Sequence, residues 1–365
     1  MSPFRLIHSL IAIINLVCAL LFVIAAFSDC ISPNQNVLFS YVGLVFPGFF
    51  ILNLCFLLYW LIVRKWMMVF VVSCSFLICW KPIMHYVSFH PIPTDVSQKK
   101  VLKILTYNVM AFGYKDHTSD NPNAIIEYIA NSDADIVCLQ EYMVGTQRNY
   151  MTQEKVDRAL NMYPYYYTEP LVQKTRYSIG LAIFSKYPIL NSRKIRYDSA
   201  INGSTIHEIE VNGKKLIVVN NHLESFKLTM ADRSSYSDFI RNINTEAFDE
   251  LKELIQRKMG EAFLIRAEQA EIVAEEIQNI TGDYMVVCGD FNDTPISYAR
   301  RIIQGTLIDS FAKSGTGLGI TYNQNYFWFR IDHILHSPNM KAYNATVDNI
   351  DLSDHYPLWC YLEMN

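Results

Sequence analysis

The near absence of charged side chains over the first 93 residues constrains the fold of this chain more than any other feature. Three apolar runs occupy this stretch: Leu6–Phe27, Leu38–Val63 and Trp66–Trp80, the last of which can be extended to Val87. The first two are longer than the roughly 20 residues that a helix needs to cross a bilayer, whereas the third is shorter and could be partly interfacial. Two runs follow the first one, which argues against a cleaved signal peptide. The sequence therefore predicts a transmembrane anchor of about three helices over residues 1–90.

The few charges around these runs indicate how the anchor is oriented. Arg5 precedes the first run, and Arg64 and Lys65 separate the second run from the third. Since basic residues favour the cytoplasmic side, the N-terminus and the Arg64–Lys65 turn are predicted to face the cytoplasm. Three crossings then place the rest of the chain on the non-cytoplasmic side, and two crossings place it in the cytoplasm. Within the runs, Asn15 and Asn53 are predicted to form hydrogen bonds between helices.

The chain becomes an ordinary soluble sequence after a short polar linker over residues 91–100. Residues 1–95 hold four basic and two acidic side chains of the 31 and 35 in the chain, so the remainder, which contains the predicted domain over residues 101–365, is net acidic. A nuclease that grips long duplex DNA usually carries a basic face, and the acidic balance disfavours that class.

Strand-like and helix-like patterns alternate through this domain. Strands are predicted at residues 103–108, 135–141, 179–185, 204–211, 215–221, 284–289, 331–335 and 355–362. Helices are predicted over Pro122–Asn131, Thr245–Met259 and Glu261–Ile280, with a helical insertion at about residues 226–262. Many strands with few helices predict an α/β fold of two packed sheets flanked by helices. The aromatic stretch Tyr163–Tyr167 is predicted to be a further strand rather than a surface for stacking bases.

Several of the apolar runs end abruptly in polar side chains. These ends are Asn108, Glu141, Asn221-His222, Asp290-Phe291-Asn292, Asp332 and Asp354-His355. Strand ends that meet at one rim of a sheet form a polar pocket, and the aromatic stretch Tyr322–Phe329 is expected to line it. Carboxylates together with Asn and His, and without cysteine, suit a hard cation such as Mg²⁺ or Mn²⁺.

Each cluster also has an ordinary structural explanation when it is taken alone. His222 can be a hydrogen-bonded core histidine, and Gly289–Asn292 can be a simple turn. Asp354 and His355 can be a helix cap or a surface pair. Glu141 is harder to explain in this way, because a buried carboxylate without a partner is costly. Two further histidines have no such cluster around them: His333 is predicted to pack in the core and His336 to lie on the surface.

The clusters occur in the order found in one known family. The chain resembles the endonuclease/exonuclease/phosphatase superfamily in Thr106-Tyr107-Asn108, Leu139-Gln140-Glu141, Asn221-His222-Leu223, Gly289-Asp290-Phe291-Asn292, Arg330-Ile331-Asp332-His333 and Ser353-Asp354-His355. The resemblance covers nearly all of Val101–Leu362, and the ordered set is far more specific than any single motif. It implies a four-layer α/β sandwich behind the N-terminal helical segment.

The resemblance also implies a role for each residue of the pocket. Glu141 corresponds to the principal Mg²⁺ ligand, with Asn108 beside it and Asp354 as a further carboxylate on the metal side. His355 corresponds to the essential histidine, which Asp332 orients, and Asp290 to the carboxylate that aligns or deprotonates the attacking water. Asn292 and His222 would donate hydrogen bonds to the phosphoryl oxygens. Two alternatives stay open: whether Asp290 or His355 takes the proton of the water, and whether one metal or two are bound. Arg266 and Gln269, in the helix before Asp290, are expected to pack and hydrogen-bond near the site.

These features predict a membrane-anchored, Mg²⁺-dependent phosphoesterase, a phosphodiesterase or phosphatase that acts by in-line attack of water. A lipid head group or related small ester is the favoured substrate, and the bilayer is the one large partner indicated. The alternative enzyme is a nuclease that degrades DNA or RNA outside the cytoplasm. A catalytically silent binding domain is disfavoured, because chemically competent residues fill all the key positions.

Overall fold

The computed structural model describes residues 3–118, 120–147, 151–227, 258–324 and 327–364. Most of the helix predicted over Thr245–Met259, and most of the insertion predicted at residues 226–262, lie outside the described residues. The helices are α1 (Pro3–Ala26), α2 (Pro33–Asn36), α3 (Leu38–Leu44), α4 (Phe46–Ile62), α5 (Trp66–Ile78), α6 (Trp80–Tyr86), α7 (Met110–Gly113), α8 (Ala124–Asn131), α9 (Gln153–Ala159), α10 (Gly260–Asn279), α11 (Tyr298–Gln304) and α12 (Ser310–Ser314).

The strands of the described residues fall into two large sheets and two small pairs. They are β1 (Ser88–Phe89), β2 (Val101–Asn108), β3 (Ile136–Gly145), β4 (Tyr165–Gln173), β5 (Tyr177–Ser185), β6 (Ile189–Ile195), β7 (Gly203–Val211), β8 (Lys214–His222), β9 (Tyr284–Asp290), β10 (Ile308–Asp309), β11 (Thr316–Gly317), β12 (Tyr322–Gln324), β13 (Phe327–Phe329), β14 (Asp332–His336), β15 (Met340–Val347) and β16 (Leu358–Met364).

The helical segment, α1 to α6, is held together by apolar packing and by buried amides. One apolar cluster is centred on Trp60 and Val72, and another on Phe22 and Phe46. The Nδ2 atom of Asn15 lies 3.4 Å from the Oδ1 atom of Asn53, and the Trp60 indole donates to Asn15 at 2.8 Å. Both asparagines are fully buried, so the predicted hydrogen bonds between helices are confirmed. Such bonds stabilise helix pairs in an apolar environment because the alternative is an unsatisfied amide.

Length and composition allow between one and three membrane spans in this segment. The helix α1 is long and apolar enough to cross a bilayer by itself. The pair α3 and α4 bends by 55°, and the pair α5 and α6 bends by 64°. Each pair meets the same requirement if it is counted as one bent span.

The soluble part is a four-layer α/β sandwich, as predicted. Six strands in the order β15-β16-β2-β3-β5-β4 form one sheet, and six in the order β10-β14-β9-β8-β7-β6 form the other. The sheets pack face to face through side chains such as Ile104 and Ile183 from the first and Val218 and Val286 from the second. The helices α8 and α9 cover the outer face of the first sheet, and α10 and α11 cover that of the second.

Each sheet contains one parallel pair, and this detail positions the functional site. The strand β2 runs parallel to β3, and β8 runs parallel to β9. Because parallel neighbours end at the same edge of a sheet, their last residues lie side by side. A buried amide network joins the two pairs: the Nε2 atom of Gln140 donates to Asn220 at 2.7 Å, and Asn220 donates to the carbonyl oxygen of Leu139 at 3.1 Å.

Some details of the sequence prediction are wrong. The last strand begins at Leu358, not at His355, because the preceding Pro357 has no N–H for the ladder. His336 is buried, not on the surface, since β10 pairs with β14 and covers it. The prediction also omits the strands β6 and β15, the shorter strands β1 and β10 to β13, and the short helices α2, α7, α9, α11 and α12.

Candidate active site

The four parallel strand ends bring their polar residues to one edge of the sandwich. Asn108 ends β2, Glu141 lies within β3 just past its pairing with β2, and His222 and Asp290 end β8 and β9 as direct neighbours in the ladder. The close approach of β8 and β9 requires glycine at position 289. Gly289 has φ +121°, and a Cβ atom there would lie 2.1 Å from the carbonyl oxygen of Asn221.

The backbone of β3 turns Glu141 toward this edge. Glu141 has φ +51°, a left-handed conformation that is rare for a residue other than glycine or asparagine. The β3–β5 pairing shifts register between Leu139 and Tyr142, as in a β-bulge. A bulge redirects one side chain out of the alternating pattern, and here that side chain is the carboxylate.

Asp290 is the centre of the hydrogen-bond network. The Nδ2 atom of Asn108 donates to Asp290 at 3.1 Å and to Glu141 at 3.2 Å, so one amide bridges two carboxylates. The backbone N–H of Asn292 donates to the Oδ1 atom of Asp290 at 2.8 Å. The Nε2 atom of His222 lies 3.8 Å from both Asp290 and Glu141.

His355 reaches the same centre from a loop between β15 and β16. Its Nδ1 atom is hydrogen-bonded to the Oδ2 atom of Asp332 at 2.8 Å, and its Nε2 atom lies 3.6 Å from Asp290. The Ser353 hydroxyl donates to the carbonyl oxygen of Asn108 at 2.8 Å, which fixes this loop against β2. Asp354 therefore lines the pocket next to His355.

The carboxylates determine the charge of the histidine. Burial lowers the pKa of His355, but the nearby Asp332 and Asp290 carboxylates outweigh it and raise the pKa to about 10. Burial raises the pKa of Asp290 to about 6, against the opposing effect of His355. Burial lowers the pKa of His222, and Asp290 counteracts part of that effect. At neutral pH the apoprotein thus combines a protonated His355 with an Asp290 that is more basic than an ordinary aspartate.

A supporting layer holds the residues that follow β8 and β9. The Nδ2 atom of Asn292 donates to the carbonyl oxygen of Leu223 at 2.9 Å. Gln269 accepts a hydrogen bond from the Glu224 N–H at 2.8 Å. Arg266 donates to the Glu224 carbonyl oxygen at 2.8 Å and pairs with Asp293 at 2.8 Å. The expectation that Arg266 and Gln269 pack and hydrogen-bond near the site is confirmed. The predicted core position of His333 is confirmed as well, since its ring contacts the Asp293 carbonyl oxygen at 3.0 Å.

The pocket that contains these groups has a volume of about 160 Å³. Six of the eight predicted site residues line it: Glu141, His222, Asp290, Asn292, Asp354 and His355. The other two, Asn108 and Asp332, contact this lining from behind, and Tyr322, Phe327 and Phe329 line the pocket as expected. A larger open cavity of about 560 Å³ on the other face of the β12–β13 hairpin contains none of the eight.

The donor set fits a hard divalent cation. Glu141, Asp290 and Asp354 present carboxylates to the pocket, and oxygen ligands of this kind suit Mg²⁺ or Mn²⁺. Among the described residues, donor atoms of Asp290, Asp332 and His355 also lie within 4.8 Å of one another. That trio is the weaker candidate, because the short bond between His355 and Asp332 already uses the Nδ1 atom and a protonated histidine is not a ligand. The candidate ligands are therefore the carboxylates of Glu141 and Asp354, which line the same pocket as Asp290.

A sandwich of two mixed sheets with an acidic, histidine-containing pocket at one edge defines a class of phosphate-ester hydrolases. The profile of the Endonuclease/Exonuclease/phosphatase family matches residues 105–355, and the chain belongs to this family. Residues 8–86 match a second family, a domain of unknown function named DUF8431. No curated protein sequence matches the chain.

Three solved structures of low sequence identity are similar to this chain. An endonuclease/exonuclease/phosphatase from Beutenbergia cavernae is 16% identical, with a TM-score of 0.50, over 73% of this chain and 72% of that one. A family protein from Bacteroides thetaiotaomicron is 17% identical, with a TM-score of 0.49, over 73% of this chain and 96% of that one. A third, from Bacteroides vulgatus, is 20% identical, with a TM-score of 0.48, over 73% of this chain and all of that one (100%). The similarity to the Beutenbergia cavernae protein supports the fold alone.

Sequence reasoning missed several residues that shape the site. Gln140 and Asn220 hold the two sheets in register beneath it, and an amide inside a buried strand is the signal that could have identified them. Thr321 accepts hydrogen bonds from the N–H groups of Ile331 and Asp332 at 3.0 and 3.1 Å. Leu44 of the helical segment also lines the pocket, and no local pattern in the sequence indicates that contact.

Proposed function

We propose that this chain is a membrane-anchored, Mg²⁺-dependent phosphoesterase that hydrolyses phosphate esters by in-line attack of a water molecule. The observation that carries the proposal is the convergence of Glu141, Asp290 and His355 on one pocket. Asp290 lies 3.6 Å from His355 and shares the Asn108 amide with Glu141. Family membership supports the reaction type, since the family is one of nucleases and phosphatases.

The side chains divide the chemistry between them. Asp290 accepts the proton of the water as the water oxygen bonds to phosphorus, because burial has made this carboxylate unusually basic. The bond from phosphorus to the departing ester oxygen breaks in the same displacement, and that oxygen takes a proton from solvent. His355, protonated and held by Asp332, stabilises the negative charge that builds on the phosphoryl group. His222 and Asn292, on the same pocket wall, donate hydrogen bonds to that group.

Glu141 and Asp354, which line the same pocket as Asp290, would hold the metal. A bound Mg²⁺ would neutralise charge on the phosphoryl oxygens and help to orient the substrate. Asn108 acts through its amide, which keeps Glu141 and Asp290 at a fixed separation.

We also propose that the helical segment crosses the bilayer three times and places the catalytic domain on the non-cytoplasmic side. The packing supports three crossings, because α1, α4 and α5 each contribute residues to both the cluster around Trp60 and Met68 and the cluster around Phe46 and Ile83, as three helices packed side by side would. The second cluster includes Ile296 of the catalytic domain, so the end of the segment that contains this cluster adjoins the domain. The side follows from the basic residues Arg5, Arg64 and Lys65. A reporter fused after Asn365 tests the side: activity of a reporter that works only outside the cytoplasm is expected, and activity only inside contradicts the topology.

The substrate is expected to be a lipid head group or a related small ester. The full chain is tested against sphingomyelin, phosphatidylinositol phosphates, a chromogenic diester, plasmid DNA and RNA, each with Mg²⁺ and with EDTA. Hydrolysis of a lipid or of the diester that depends on Mg²⁺ is the expected result. Efficient cleavage of DNA or RNA alone would establish the nuclease instead, and no hydrolysis of any of these esters with Mg²⁺ would contradict the proposal.

A further inference from the structure

The pocket around the catalytic cluster is lined by apolar as well as polar side chains. Its apolar wall consists of Leu44, Phe226, Met259, Phe327, Phe329 and Ile331. A phosphate group and a metal ion require the polar side chains alone. Apolar side chains in the lining of the same pocket therefore indicate a substrate whose phosphate is attached to a hydrocarbon part.

The helical segment contributes Leu44 to this wall, and α3 is firmly seated against the catalytic domain. The ring of Tyr41 packs edge-on against Phe263, with 5.4 Å between the ring centres. The fit at Gly260 is so close that a Cβ atom there would lie 2.6 Å from the Tyr41 hydroxyl. Phe263 packs edge-on in turn against Phe226 of the wall, at 5.3 Å. A continuous aromatic contact thus joins the helical segment to the pocket.

The apolar wall of the pocket adjoins one end of the helical segment. The helix α5 is bracketed by Lys65-Trp66 and by Trp80-Lys81, and both tryptophans are exposed. Tryptophan and basic residues concentrate at the two interfaces of a bilayer. The Trp80 end adjoins the catalytic domain, because the carbonyl oxygen of His85 accepts a hydrogen bond from Arg330, the residue before Ile331 of the wall.

The start of α4 places Leu44 at the same level. Phe46, two residues after Leu44, stacks on Tyr86 of α6 with 5.2 Å between the ring centres. The bend of 55° between α3 and α4 occurs at Val45, so Leu44 lies where the apolar helices meet the catalytic domain.

The charges of the pocket favour a lipid over a polynucleotide. Among the described residues of the lining, Lys227 is the one lysine, and it is paired with Glu224. A polynucleotide needs cationic groups along several phosphates, whereas one phosphate with an apolar tail needs a single polar centre beside an apolar wall.

We propose that the helical segment forms part of the substrate site, and that the substrate is a phosphoester lipid that remains in the bilayer during hydrolysis. Its phosphate lies against Asp290 and His355, and the first part of its hydrocarbon chain lies along Leu44 and Phe327. This inference rests on the proposed phosphoesterase function and names the class of its substrate.

The test compares two substrates of the full chain in phosphatidylcholine vesicles. One is a lipid within the vesicle, either sphingomyelin or a phosphatidylinositol phosphate, and the other is water-soluble bis(p-nitrophenyl) phosphate. Leu44→Gln is expected to lower kcat/KM for the lipid about tenfold, because an amide replaces an apolar contact, and to lower kcat/KM for the soluble diester by a clearly smaller factor, because that ester has no hydrocarbon chain to lie along Leu44. Leu38→Gln, at the exposed start of the same helix, is the matched control and should change neither rate.

The outcomes separate this inference from the function on which it rests. If Leu44→Gln lowers both rates equally, Leu44 only supports the shape of the site, and the inference is wrong while the phosphoesterase function stands. If the wild type hydrolyses the soluble diester but no vesicle lipid, the inference is also wrong, and the phosphoesterase function still stands. If the wild type hydrolyses neither substrate with Mg²⁺, the function itself fails before any variant is compared.

Discussion

The imidazole of His355 lies between two carboxylates, 2.8 Å from Asp332 through Nδ1 and 3.6 Å from Asp290 through Nε2. Asp332 and Asp290 face each other directly in the antiparallel β9–β14 ladder. One ladder position therefore supplies both the group that orients the histidine and the group proposed to accept the proton of the water. The spacing of the site is thus determined by sheet register, which is more rigid than a loop.

The contact with Asp332 can be removed without changing the shape of the site. Asp332→Asn is expected to lower kcat about 100-fold or more, because the imidazole loses the carboxylate that orients it and stabilises its protonated form. The pKa of His355 should fall, since Asp332 helps to raise it to about 10. NMR titration of the metal-free protein measures that pKa, and Asp198→Asn, at an exposed position, is the control. A normal rate with a lowered pKa would remove Asp332 from the mechanism.

The ionised carboxylate of Asp290 should be needed for activity and should also lower the stability of the folded state. Burial raises its pKa from 3.8 to about 6, so the folded state binds this proton more tightly than the unfolded state does. The stabilising contribution is complete below pH 3.8 and is lost as the pH rises through 6. In EDTA at pH 8, Asp290→Asn should therefore be more stable than wild type, by about 2 kcal/mol, and almost inactive. Thermal unfolding of both proteins at pH 4 and pH 8 measures the effect. If Asp290→Asn were less stable than wild type at pH 8, the ionised carboxylate of Asp290 would not destabilise the folded state.

Two buried histidines should make the catalytic domain sensitive to acid. Burial lowers the pKa of His207 and of His333 to about 3 in each case. Their contribution is complete above the ordinary pKa of 6.5 and is lost as the pH falls toward 3. The free energy of unfolding of the wild type should decline steadily over that range, and that of His207→Gln should decline less. For His90→Gln, at an exposed position, the free energy of unfolding should change with pH as steeply as it does in the wild type. Equal slopes for all three proteins would contradict this account.

Part of this architecture could be predicted from the sequence, because the signals are local. The strands that end in Asn108, Glu141 and Asp290 each combine an apolar run with an abrupt polar end. Edge strands such as β6 carry polar residues on both faces and give no such signal. The burial of His336 and the place of Leu44 in the pocket depend on contacts between distant parts of the chain, which no local pattern encodes.

Gly289 should tolerate no side chain. Its φ of +121° and the distance of 2.1 Å from an added Cβ atom to the Asn221 carbonyl oxygen both exclude alanine. Gly289→Ala is expected to destabilise the domain by about 3 kcal/mol or more, as measured by thermal unfolding. Gly48→Ala is the control, because no described atom lies within 4 Å of a Cβ atom added there. An unchanged midpoint for Gly289→Ala would mean that β8 and β9 are less closely paired than the structure shows.

The central claim is that Glu141 and its neighbours bind a hard divalent cation, Mg²⁺ or Mn²⁺, at the catalytic edge of the sandwich. The most direct measurement is titration of the full chain with Mn²⁺, followed by electron paramagnetic resonance, with Mg²⁺ as competitor. The account predicts a site that Mg²⁺ displaces and that Glu141→Gln weakens at least about tenfold, while Glu210→Gln, at an exposed position on β7, leaves it unchanged. Equal Mn²⁺ affinity in wild type and Glu141→Gln would contradict it.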